Sequence, residues 1–256
     1  MLIFELNYPG TWLQHEDPKL RFELQNLLQH LQSQFYEANI ALNIFLQNQR
    51  VQQHDFSSEN PVEDFQKRRE SRQRIATALG IDTEDWETRD YKVDIHMKRE
   101  KWLSGTLPSE HEHLKVFIYA KAFLYALDGF DKFLGVMSKE PGIPAGVVDA
   151  AGRVTEIFPH LRGVRNTAQH LEDRARGLDQ RKKKIDLAPV ENGAFSSPSG
   201  ALFLNCLNGT QYGSTMSDGH YGEVDVSPDS MRKLQNLMQD VINAFNWTGP
   251  KSHKPS

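Results

Sequence analysis

Between Pro18 and Arg50 the chain places Leu20, Leu24, Leu27, Leu28, Leu31, Phe35, Ala38, Leu42, Phe45 and Leu46 at steps of three and four residues. That period belongs to an α-helix with one apolar stripe, and a stripe this long needs a long partner surface. Asp17-Pro18 supplies the start, an N-cap carboxylate followed by proline at the first helical position. Unbroken to about Arg50, such a helix would extend roughly 50 Å. That length suits an up-down bundle or an arm reaching a second copy of the chain. The polar stretch His54 to Asn60 predicts its end.

More helices are expected downstream. One starts near Pro61, carries Phe65, Ile75, Ala78 and Leu79, and ends at Gly80. Its basic residues Lys67, Arg68, Arg69, Arg72 and Arg74 either touch RNA or pair with Glu63, Asp64 and Glu70 on a solvated face. A weaker helical pattern spans Thr83 to Leu103. From His111 to about Lys139, Val116, Ala120, Phe123, Leu127, Phe130 and Leu134 form a stripe that Leu114, Phe117, Ile118, Leu124 and Tyr125 widen, which predicts the bundle centre. The narrow polar line of that helix, Lys121, Asp128 and Asp131, is placed to border a cleft. After Pro141-Gly142 and Pro144, a helix from about Ala145 to Phe158 leads through Pro159 into a further one from about Pro159 to Gly177.

The Ser, Pro and Gly cluster from Pro189 to Gly200 reads as a linker, and beyond it the apolar period becomes strand-like. Asn208-Gly209 and Asp218-Gly219 are hairpin dipeptides that separate strands at Ala201 to Leu207, Gln211 to Ser217 and His220 to Val226. Ser227-Pro228 then caps an amphipathic helix with Met231, Leu234, Met238, Val241, Ile242 and Phe245 on one side. The expected fold is therefore mainly α: a helical bundle with a small C-terminal antiparallel β-meander packed by a terminal helix. Residues 1–188 form the bundle. Residues 189–247 form the meander and helix, either as a unit or as an extension of the same domain, and 248–256 form a disordered tail.

Composition narrows the function classes. Apolar residues make up 38% and charged residues 25% of the 256 positions, the mix of a folded, surface-rich chain. The lone Cys206 cannot form an internal disulfide, and a small buried hydrophobe in a reducing compartment is its ordinary role. Trp12, Trp86, Trp102 and Trp247 are expected as core anchors. No basic-then-apolar leader precedes Gly10, and no apolar run reaches the ~18 residues of a membrane span, so a cytoplasmic protein without a membrane partner is expected. Metal and nucleotide signatures are missing as well: Glu110-His111-Glu112-His113 lacks ligand spacing, and there is no Gly-rich phosphate loop. No cofactor and no metal are therefore expected.

The net charge of −4 hides a segregation. From Arg162 to Lys184 eight Arg or Lys face only Glu172, Asp173 and Asp179, giving that segment +5 on a body of −9. Inside it lies Arg165-Asn166-Thr167-Ala168-Gln169-His170. A histidine titrates near neutrality and can take a proton from a ribose 2′-OH, while an arginine can stabilise charge developing on phosphate. On a continuous helix Asn166 and His170 would share a face one turn apart, and Arg165 and His170 would lie about 140° apart. The ordinary alternative is that Arg165 pairs with a core carboxylate such as Asp128 or Asp131.

The run Arg165-Asn166-x3-His170, preceded by Leu161-Arg162-Gly163-Val164, by an amphipathic helix and by the apolar helix upstream, resembles the HEPN superfamily over roughly residues 111–177. The resemblance implies a helical-bundle domain directed at RNA. It implies a metal-independent endoribonuclease of toxin or defence type, with two motifs meeting across a homodimer. Carried onto this chain, it makes His170 the base, Arg165 the phosphate clamp and Asn166 a supporting group. Arg162, Arg174, Arg176, Arg181, Lys182, Lys183 and Lys184 would then hold the RNA backbone. The other reading is a non-catalytic module of the same kind binding a partner protein such as an antitoxin. Exposure of Arg165 and His170 in one basic cleft separates the two.

Overall fold

A computed structural model of the chain describes residues 1–54, 61–81, 85–193 and 195–256, with 50–54 and 61–68 as backbone only. The expected break after His54 and the side chains of Glu63, Asp64, Phe65, Lys67 and Arg68 lie outside the described residues. The described chain is mainly helical, with helices α1 (Pro18–His54), α2 (Pro61–Ala78), α3 (Trp86–Leu103), α4 (Ser109–Met137), α5 (Ala145–Ile157), α6 (Leu161–Gln169), α7 (Leu171–Arg174) and α8 (Pro228–Ala244). Its strands are short: β1 (Leu6–Tyr8), β2 (Trp12–Leu13), β3 (Val190–Glu191), β4 (Ser196–Ser197), β5 (Cys206–Asn208), β6 (Gln211–Thr215), β7 (Tyr221–Asp225), β8 (Trp247–Thr248) and β9 (Ser252–Lys254). No helix among the described residues is long and apolar enough to cross a membrane.

Two compact units result, one of residues 1–47 with 116–256 and one of residues 48–115. In the smaller unit α2 packs on α3. Ala76 and Val93 are buried there, and Arg72 reaches Asp94 at 2.5 Å and Asp90 at 3.8 Å. Arg72 of the basic helix thus meets acids of α3. Trp86 and Trp102 stand exposed in this unit and Trp12 in the larger one, against their expected role as core anchors. Only Trp247 packs against a core, and it does so half-buried.

The larger unit holds one core, built from the stripes the sequence announces: Leu24, Leu31, Phe35 and Leu42 of α1, Ala120, Phe123, Leu127 and Phe130 of α4, and Leu234, Met238 and Val241 of α8. Asp17 caps α1, its Oδ1 accepting from the Lys19 amide at 2.8 Å, and Ser227 caps α8, its Oγ accepting from the Ser230 amide at 3.2 Å. The meander forms as β5-β6-β7, antiparallel throughout. Residues 201–205 stay outside the first strand, although the Phe203 and Asn205 amides donate to the Thr215 and Ser214 hydroxyls. Gly219, at φ +87°, holds the left-handed position of the β6–β7 loop, and a Cβ there would lie 1.8 Å from the Asp186 carbonyl oxygen.

No boundary falls at 188/189. Helix α5 packs on α8, and α6 lies against β6 and β7, so helices and meander share the core. The end of the chain is not a disordered tail either. β8 pairs with β2 and β9 with β1, in the registers Leu13↔Trp247 and Asn7↔His253. The Thr11 amide donates to Thr248 O at 2.9 Å and the Gln14 amide to Asn246 O at 2.8 Å. Backbone groups at both ends satisfy each other, which a local reading of polar residues cannot foresee.

Candidate functional site

Helix α6 is short because Phe158 to His160 form a turn that separates it from α5, and because its own last turn closes at Gln169. Leu161, Val164 and Thr167 face the core, and the Thr167 hydroxyl donates to Thr215 O at 3.1 Å, fixing the helix on β6. At Gly163 the helix touches the meander so closely that a Cβ would lie 2.2 Å from Met216 Sδ. The opposite edge carries Arg162, Arg165 and Gln169.

Arg165 reaches α4. Its Nε lies 2.8 Å from Asp128 Oδ1, an ion pair without the alignment of a hydrogen bond, and its Nη1 donates to Gln169 Oε1 at 2.7 Å. The side chain is 13% exposed and that of Asp128 7%. One helical turn away, Arg162 sits 3.5 Å from Asp131 with most of its side chain in solvent. Residues three apart on α4 thus meet residues three apart on α6. Asp128 also takes Lys132 at 2.7 Å. Of the polar line expected to border a cleft on α4, Asp128 and Asp131 hold arginines of α6, the motif arginine among them.

His170 is the C-cap of α6 and the N-cap of α7, at φ −119° and ψ 43°, not an interior helical residue. Its amide closes the last turn on Asn166 O at 3.1 Å, while its side chain, 56% exposed, leaves in a direction the helical wheel does not set. The expected shared face of Asn166 and His170 is therefore replaced by a corner. The Asn166 side chain is half-buried and bonded to none of the described residues.

Beyond the corner Asp173 is the hub. Nearly buried, it accepts from Arg176 Nη2 at 2.7 Å and from the Lys182 ammonium. The Lys182 hydrogen bond first, and then that of Arg176, hold its carboxyl below the usual range. The ligand atoms of His170, Glu172 and Asp173 lie within 4.8 Å of one another, which brings the imidazole beside this hub. A metal does not suit that trio, because both Asp173 oxygens already carry cations. Asp179 shapes the following loop, its Oδ1 accepting from the Arg181 and Lys183 amides at 2.7 and 2.8 Å, and those backbone bonds lower its pKa. Lys182 takes φ +61° at the loop tip. Arg181, Lys183 and Lys184 are exposed and pair with no carboxylate among the described residues.

Arg174 leaves the basic set. It is 0% exposed, with Nη1 donating to Leu178 O and with Nε and Nη2 unpartnered among the described residues, so no RNA phosphate reaches it. The loop from Gly177 to Ile185 supplies its acceptor, Leu178 O, and is closed by the Ile185 amide on Gly177 O at 2.8 Å. The structure thus brings His170 to Arg176 and Lys182 through Asp173, while Arg165 and Arg162 each meet a carboxylate of their own on α4, Asp128 and Asp131. Gln169 and Asp173 were not singled out from the sequence; the local signals were an amide four residues after Arg165 and an acid three residues before Arg176.

Among known proteins, the chain matches no protein-family model, no curated protein and no solved structure.

Proposed function

We propose that the chain is an HEPN-like, RNA-directed protein whose contact surface is the α6–α7 corner with the basic loop behind it, acting as a metal-independent endoribonuclease of toxin or defence type. The observation that carries this is an exposed His170 beside Asp173, the residue that gathers Lys182 and Arg176. Exposed Arg181, Lys183 and Lys184 supply sequence-independent phosphate contacts. In the reaction His170 removes the proton of a ribose 2′-OH, the 2′-oxygen bonds to the adjacent phosphorus, and the P–O5′ bond breaks. The leaving 5′-oxygen takes up a proton from water, His170 gives up its own to solvent, and the products are a 2′,3′-cyclic phosphate and a free 5′-OH. Two copies of the chain, each supplying one corner, would complete the cleft.

One observation favours a second reading. Arg165 is largely buried on Asp128, so it does not face a phosphate as a clamp does, and a non-catalytic module binding a partner protein such as an antitoxin tolerates that geometry. The experiment is incubation of wild type and His170→Ala with mixed RNAs in EDTA, followed by analysis of fragment ends. Cyclic phosphates from wild type alone support the nuclease. RNA binding without cleavage, lost on changing Arg181, Lys183 and Lys184 together to Gln, supports an RNA-binding module. Neither cleavage nor binding leaves the protein-partner reading.

A further inference from the structure

A cleft of about 510 Å³ opens between the first half of α1 and the paired chain ends, and none of its walls belongs to the motif or to the basic loop. Its volume lies in the range of sites that hold one small ligand. Phe22, Gln25, Gln29 and Gln32 follow one stripe of α1, so their side chains form a ladder about 15 Å long. Tyr8 and Trp247 make the facing wall, and Lys254 of β9 closes one side.

The chemistry of the walls selects a ligand class. Neutral carboxamides predominate, each with a donor and an acceptor, and no carboxylate lines the cleft among the described residues. A cationic ligand therefore finds no counter-charge, and a phosphorylated one finds a single ammonium. The Tyr8 hydroxyl donates to Gln32 Oε1 at 2.7 Å, which orients that amide, and the Trp247 indole N–H is engaged by Ile242 O at 2.8 Å. Gln25, Gln29 and Lys254 form no side-chain hydrogen bond or ion pair with a described residue. Their polar groups are open to a ligand.

The rings decide between two neutral ligands. Tyr8 and Trp247 meet edge to face, with centroids 5.4 Å apart and planes at 88°, so they form no parallel clamp for a planar nucleobase. Phe22, 65% exposed, offers one open apolar face. A ring with an apolar C–H face and hydroxyls around its rim satisfies both kinds of surface. We infer that this cleft is an oligosaccharide site, with the apolar face of one sugar ring on Phe22 and the hydroxyls of that ring and its neighbours on Gln25, Gln29 and the Gln32 amide. This site is independent of the RNA reading.

The test is calorimetric titration of the full chain with maltotriose, lactose, mannotriose and N,N′-diacetylchitobiose, with adenosine and uridine monophosphates alongside. Saturable binding of a saccharide is expected, weakened about tenfold in Gln25→Ala/Gln29→Ala. Both positions lie on the solvent side of α1, and an unchanged circular dichroism spectrum will show that the variant folds. Absence of binding by all four saccharides overturns the inference, as does binding indifferent to the double variant. Binding of the nucleotides alone, sensitive to the same two glutamines, replaces the sugar with a base.

Discussion

Arg165 and Asp128 face each other almost out of solvent, at 13% and 7% exposure, and that fact changes what a substitution in the motif measures. Removing one partner of a buried pair leaves the other charge uncompensated, at a cost of about 3–5 kcal/mol when burial is complete. Arg165 keeps its bond to Gln169 and Asp128 its contact with Lys132, so each of Arg165→Ala and Asp128→Ala is expected to cost roughly 2 kcal/mol in urea unfolding. The double variant should lose about 1 kcal/mol less than the sum. Strict additivity would remove the pair from the account of stability. Lost RNA activity in Arg165→Ala therefore has to be read beside its unfolding curve. Asp173 gives a pH signature. Its carboxyl is held low chiefly by Lys182 and then by Arg176, so the folded state binds fewer protons than the unfolded state. The stabilisation is present above the unfolded value, near 3.9, and is lost as pH falls through the lowered folded value. Wild type should lose stability steeply below about pH 4, and Asp173→Asn should be weaker at neutral pH with a shallower acid limb. Other lowered carboxylates such as Asp179 keep that limb from vanishing. Superimposable acid limbs would show that Asp173 is not so held.

At the scale of elements, α6 depends on the absence of a side chain at Gly163. An added methyl would lie 2.2 Å from Met216 Sδ and 3.0 Å from its Cγ, while the Met216 backbone is fixed by bonds with His220 and Gly219. Alanine improves the helix by about 1 kcal/mol, but overpacking costs typically 1–3 kcal/mol. Gly163→Ala is therefore expected to lower the thermal midpoint, and Met216→Val to recover part of the loss in the double variant. A more stable Gly163→Ala would mean that α6 can move off the meander. Such contacts mark the limit of what the sequence shows. The Asp17-Pro18 start of α1, the Ser227 cap of α8 and the Gly219 turn were legible because each rests on neighbours within a few residues. The pairing of Arg165 with Asp128 was legible only as one of two alternatives, since it joins helices 37 positions apart along the chain. The corner at His170 was not, because a basic, polar run has no apolar period to betray a break. Burial of Arg174 was hidden for another reason: the loop that supplies its acceptor, Leu178 O, is itself rich in Lys and reads as solvated surface.

Across the whole molecule the two chain ends are joined, and the larger unit depends on that closure. Leu6 and Leu13 are fully buried on strands of three and two residues, too short to persist alone. β1 has two independent supports. One is the ladder with β9, and the other is Gln239 of α8, whose amide accepts from the Asn7 N–H at 2.9 Å and donates to the Asn7 carbonyl at 2.7 Å. Deleting residues 251–256 removes the first support and is expected to cost a few kcal/mol at about 1 kcal/mol for each lost ladder bond. Gln239→Ala removes the second for about 1–2 kcal/mol. Either change alone leaves β1 held. Together they should release it, so the combined loss exceeds the sum and includes the burial of Leu6 and Phe4. Hydrogen exchange at Leu6 to Tyr8 follows this directly, with partial protection in each single variant and none in the double one. The deletion also loosens β1, whose Tyr8 orients the Gln32 amide in the cleft beside α1, so saccharide binding should weaken with β1 protection rather than with global unfolding. Full exchange at Leu6 to Tyr8 on deletion alone would show that β9, not α8, is what keeps the amino-terminal strand in place.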